Sequence, residues 1–144
     1  MALNDKKFDP DFQPDEKTAA ALRGSLKDGF LTCAAAFAAA QKAGLDPAEV
    51  GRTADALAIH LSECQLGLFG FPGHDKGWAK TGTAGQAVPP GLEDAMLQAF
   101  EASREISCAE LWRIAGRFAA SRMLTGYLAD KLGFKIRACQ LGAF

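Results

Sequence analysis

Apolar and polar positions along the chain predict helices broken by turns, with two short stretches of a different period. One helix is expected over residues 17–30 and its counterpart over 92–103, the latter introduced by Pro89, Pro90 and Gly91. A second helix starts at Cys33 and again at Cys108, with Thr32 and Ser107 as N-caps; Ser107 and Glu110 have capping-box spacing. Gly44 ends this helix in the first half. A third opens at Asp46-Pro47, an N-cap followed by proline at the first helical position, and at Ser121 in the second half; Gly133 closes the later one. Beyond it the period falls to two: Ile59-His60-Leu61-Ser62 and Phe134-Lys135-Ile136-Arg137 alternate apolar and polar residues, as in a short, half-buried strand.

The two halves are copies. Residues 31–69 and 106–144 align without a gap at an offset of 75, with 12 identities in 39 positions. The identities include Cys33/Cys108, Gly51/Gly126, Asp55/Asp130 and Leu57/Leu132, and each copy ends in Cys-Gln-Leu-Gly-x-Phe. Nine of the 12 are not alanine, so compositional bias does not explain them and internal duplication does. Two copies are too few for a solenoid. The expected fold is mainly α: two tandem three-helix repeats, each followed by a short strand, with the two strands pairing across a pseudo-twofold axis. The expected division is a charged, proline-broken, flexible lead over residues 1–16, repeat one over 17–69, a Gly/Pro-rich linker over 70–91, and repeat two over 92–144.

Composition narrows the function classes. With 16 Lys+Arg against 17 Asp+Glu, no global field attracts nucleic acid, so such binding requires a local patch. No run approaches the roughly 18 apolar residues of a membrane span. The opening MALNDKKFDPDFQ has no apolar signal-peptide core, so a cytoplasmic protein is expected. P-loop and GxGxxG patterns and a Ser/His/Asp arrangement are absent, and neither His60 nor His74 has a matched acid or nucleophile, so an enzyme is not expected.

The second and third helices of each copy resemble a helix-turn-helix. That motif places a small residue at the helix crossing, a turn residue four later, and apolar residues that lock the last helix. Copy one supplies Ala40, Gly44 and Val50; copy two supplies Ala115, Ala119 and Leu128, departing from the pattern at Ala119 and at Thr125, which stands where copy one has Val50. With the strand that follows, each unit is similar to a minimal winged helix. The chain also resembles small uncharacterised bacterial proteins with a doubled Cys-Gln-Leu-Gly-x-Phe signature, a resemblance that implies no activity.

The helix-turn-helix resemblance implies DNA reading by the third helix. In copy one that helix carries Asp46, Glu49 and Asp55, which would face phosphate. Copy two offers Ser121, Arg122, Met123, Tyr127 and Lys131 on the helix, then Lys135 and Arg137 on the strand. The expected function is a DNA-binding transcription regulator that uses these residues, with a homodimer presenting two such helices to successive major grooves. The alternative is a protein-interaction or accessory module that makes no use of DNA.

The cysteines leave two readings open. Cys33 and Cys108 stand at helix N-termini, where the dipole favours the thiolate; Cys64 and Cys139 follow the strands. There is no CxxC pair. The four are either small buried hydrophobes or thiolate ligands and redox groups assembled in space. In the first case there is no cofactor; in the second, a metal. The Gln-Leu-Gly-x-Phe tails likewise read as core plugs carried by Leu66, Phe69, Leu141 and Phe144, or as a joint partner site. Trp112, matching Phe37, is expected in the core, and Trp78 as an exposed contact or lid.

Overall fold

The computed structural model describes residues 11–100 and 105–144. Most of the expected lead and the end of the second half's first helix lie outside those residues. The described chain is mainly helical with four short strands. It divides into two compact units: one takes in the chain up to Cys64 together with Gln140–Phe144, the other spans Gln65–Cys139.

In the first unit α1 (Glu16–Arg23), β1 (Leu31–Thr32), α2 (Cys33–Ala43), α3 (Pro47–Ala56) and β2 (Leu61–Ser62) follow in order. Helix α1 packs on α2 and α3, and these pack on each other. It is shorter than the expected 17–30. It stops at Gly24, and Lys27 and Phe30 pair through a tight turn whose central residues, Asp28 and Gly29, have φ of 52° and 84°. Asp-Gly is a favoured central pair for such a turn, because both residues must take positive φ. The ion pair between Lys27 and Glu63 at 3.1 Å ties this turn to the chain after β2.

The second unit begins with the segment Gln65–Phe69 and a turn at Phe71–His74. Then come α4 (Trp78–Thr81), a 3-10 turn at Thr83–Gly85, α5 (Leu92–Phe100), β3 (Glu105–Ser107), α6 (Cys108–Arg117), α7 (Arg122–Lys131) and β4 (Lys135–Arg137). The residues between Phe69 and Leu92 are therefore partly helical. Trp78, expected as an exposed contact or a lid, is buried, and its indole N–H donates to the Leu66 carbonyl at 3.0 Å. Phe100 stacks on Phe134 with ring centroids 3.7 Å apart.

The expected pairing of the two late strands with each other does not occur. Instead β2 pairs in parallel with β1, Leu31 opposite Leu61 and Thr32 opposite Ser62. Likewise β4 pairs in parallel with β3, Ile106 opposite Ile136. Each late strand finds its partner in the residues that run up to and include the N-cap of α2 or α6. Those residues satisfy its backbone groups locally, through a crossover made of the two intervening helices.

Local signals explain the helix boundaries. The side chains of Asp15, Thr32, Asp46, Ser107 and Ser121 each accept a backbone N–H in the first turn of the helix they precede. Helices α2, α3, α6 and α7 all end the same way. A residue in the left-handed region follows the helix (Gly44, Ala58, Ala119 and Gly133, φ 68°, 55°, 52° and 77°). The next N–H then reaches back five residues, as in Leu45 to Ala40 and Ala120 to Ala115, both 2.9 Å. Ala119 thus adopts the conformation that its counterpart Gly44 adopts, despite its Cβ.

The tails complete the two units crosswise. Leu141, from the end of the second copy, is buried in the first unit, where the backbone of Gly51 on α3 meets its carbonyl. Leu66, from the end of the first copy, is buried in the second unit, where Gly126 on α7 meets its carbonyl. A Cβ on either glycine would overlap that carbonyl. The expected plugs are therefore leucines, while Phe69 and Phe144 are only half-buried.

Candidate functional site

The residues expected to read DNA cluster at the start of α7. Ser121 caps the helix by accepting the Leu124 N–H, and its hydroxyl lies 3.2 Å from the side-chain oxygen of Gln86. Arg122 is exposed, and its guanidinium donates to the Gln65 side-chain oxygen at 2.6 Å and lies 3.7 Å from the ring centroid of Trp112. The ring face attracts the cation and the amide oxygen fixes its direction. Met123 is half-buried, its sulfur against Gly67. Tyr127, also half-buried, meets Trp78 edge to face with centroids 5.7 Å apart.

Of the seven residues expected to contact DNA, Ser121 caps α7 and the other six lie on α7 and β4 with different surroundings. Arg122, Met123 and Tyr127 contact Gln65, Gly67, Trp112 and Trp78 of their own unit. Lys131, Lys135 and Arg137, at the far end of α7 and on β4, are exposed. Of these, Arg137 pairs with Glu105 across the β3–β4 ladder at 2.8 Å. The buried side of α7 carries Leu124, Thr125, Leu128 and Ala129, so this helix is a core element along most of its length. Thr125, the polar residue at the position of Val50, is buried with its hydroxyl donating to the Arg122 carbonyl at 2.7 Å. That bond removes the penalty of burying a hydroxyl where copy one buries a methyl.

Two partners in this cluster were not singled out in sequence as contacts of α7. Gln65 belongs to the duplicated signature, and its identity in both copies was the available signal. Trp78 lies among glycines and prolines, a composition that conceals its burial.

The cysteines fall two to a unit. Cys33 and Cys64 belong to the first and Cys108 and Cys139 to the second; the first three are buried, Cys139 is half-buried, and none forms a disulfide. Two thiols per unit are fewer than the four ligands of a structural zinc site. Among the described residues no group of three or more His, Cys, Asp or Glu side chains is arranged to hold a metal ion. No helix among them is long and apolar enough to cross a membrane. Comparison with protein-family models, curated proteins and solved structures finds no match to this chain.

Proposed function

We propose that this chain is a protein-interaction module built from two tandem helix-turn-helix-like repeats, and that it works without reading DNA. One observation carries the reading: Arg122, Met123 and Tyr127, the residues best suited to reach base edges, are engaged by Gln65, Gly67 and Trp78 of their own unit. A recognition helix must present its N-terminal side chains to the major groove. Here a groove would first have to displace a packed segment and break a 2.6 Å hydrogen bond. The counterpart helix α3 carries Asp46 as its N-cap and Glu49 in its first turn, which repel phosphate.

The second reading, a DNA-binding regulator, rests on the exposed cations Lys131, Lys135 and Arg137. Fluorescence anisotropy with mixed-sequence duplex DNA at low and moderate salt separates the two. The interaction-module reading expects at most weak binding that vanishes at moderate salt and is indifferent to Arg122→Ala. Tight binding that survives moderate salt and is lost in Arg122→Ala would establish the regulator.

A further inference from the structure

Each unit is closed by a signature taken from the other copy, and the two signatures are the same peptide apart from one position. Gln65-Leu66-Gly67-Leu68-Phe69 fills the second unit and Gln140-Leu141-Gly142-Ala143-Phe144 the first. The receiving sites also match. Gly51 and Gly126 are equivalent at the offset of 75, and each has its missing Cβ replaced by a leucine carbonyl from the tail. In each site the leucine side chain is the fully buried anchor: Leu66 is 0% and Leu141 2% exposed. The glycine inside the signature turns the chain in both, with φ of 83° at Gly67 and 74° at Gly142. The chain thus contains two related seats, alike at the glycine and the leucine anchor, and two related occupants; the contacts of Trp78, Arg122 and Met123 belong to the second seat.

From this we infer that the seat on the first unit accepts the Gln140–Phe144 tail of a second copy of this chain, giving a dimer by reciprocal tail exchange. The partner copy supplies Leu141 to the cleft at Gly51, and the same exchange operates in the opposite sense, so all tail contacts of one chain are remade between two. The segment preceding the tail is suited to re-route. Ala138 holds φ of 55°, a left-handed conformation unfavourable for a residue with a Cβ, so straightening the chain there relieves strain. The equilibrium is governed by concentration. A short connection gives the cis tail an effective concentration in the millimolar range, so dilute wild-type protein is monomeric and exchange emerges at high concentration or when chains refold together. The inference goes beyond the function proposed above and does not depend on the outcome with DNA.

The test uses full-length chains. Wild-type protein in light and 15N-labelled forms is unfolded in urea, refolded together at high concentration, and weighed by native mass spectrometry. Dimers of intermediate mass are expected, and excess synthetic peptide Ala-Cys-Gln-Leu-Gly-Ala-Phe should dissolve them, whereas the same peptide with glutamate for leucine should not. In parallel, a Gly51→Ala chain, whose seat is blocked and tail intact, is mixed with a Leu141→Ala chain, whose seat is intact and anchor missing, after circular dichroism has established that both are folded. A 1:1 complex is expected at a concentration at least about tenfold below that at which wild type dimerises, because the cis competitor is disabled in both chains. Only monomers in the wild-type experiment would overturn the inference, whether or not the variants fold. So would mixed dimers indifferent to the peptide, since another surface would then join them.

Discussion

The α-carbon of Gly51 faces the backbone carbonyl of Leu141 at a separation that leaves no room for a methyl group. The obstruction is main chain, so it cannot be relieved by a rotamer change. Gly51→Ala should therefore destabilise the protein by about 3 kcal/mol, the upper part of the range for overpacking. Gly116→Ala should do the opposite. Gly116 lies in α6 with nothing within 4 Å of its missing Cβ, so alanine there should stabilise by roughly 0.5–1 kcal/mol through helix propensity. Urea unfolding of the two variants checks both signs, and equal effects would contradict the tail placement.

The two anchor leucines give a second pair of outcomes. Leu66→Ala and Leu141→Ala each empty a buried site, with an expected loss of about 2–5 kcal/mol. Deleting Leu141–Phe144 should lower the melting temperature as well. A tail that contributes nothing would leave all three measurements at the wild-type value.

Ala58 and Ala119 end α3 and α6 in the left-handed region, where their counterparts Gly133 and Gly44 carry no Cβ. The steric penalty of roughly 1–2 kcal/mol per residue is partly offset by the extra freedom that glycine has in the unfolded chain. Ala58→Gly and Ala119→Gly should each stabilise by about 0.5–1 kcal/mol, read as a higher midpoint in urea with an unchanged slope. Destabilisation by either substitution would show that the helix ends are not held as described.

Trp78 serves as a reporter for the segment that covers α7. Trp78→Phe keeps the ring and removes the indole N–H that donates to Leu66, an expected loss of about 1 kcal/mol. Arg122→Ala should cost about 1 kcal/mol and shift tryptophan fluorescence, because Trp112 loses the cation over its face. Arg122→Lys should restore only part of this, since an ammonium cannot both stack flat on the indole and reach Gln65 in the same geometry. A stability unchanged in Arg122→Ala would mean that this side chain is available for other partners.

Much of this architecture was legible in sequence because it is written in local chemistry. Thr32, Asp46, Ser107 and Ser121 cap helices as their residue types predict. What escaped was set by residues distant in the chain or by elements too short to carry a pattern. Leu31–Thr32 is a two-residue strand that ends on the N-cap of α2, so no alternation can announce it as the partner of the late strand. Helix α1 ends before the expected 30 because the Asp28-Gly29 turn, with both residues at positive φ, interrupts the apolar pattern around it. The crosswise tails were hidden for a different reason. The two peptides match at Cys, Gln, Leu, Gly and Phe, so the peptide sequence alone does not say which goes where. The partner of Arg122 was hidden by distance: Gln65 arrives from 57 positions earlier in the chain.

The crosswise tails also set an order of events at the ribosome. Leu66 is made before its seat at Gly126, so the second unit finds its plug waiting when α7 emerges. The first unit has the reverse problem. Gly51 is made 90 residues before Leu141 (141 − 51 = 90), so its seat waits for its occupant until the end of the second copy is added. Synthesis normally lets an N-terminal unit fold first and alone; here the unit that is made first is the one that finishes last.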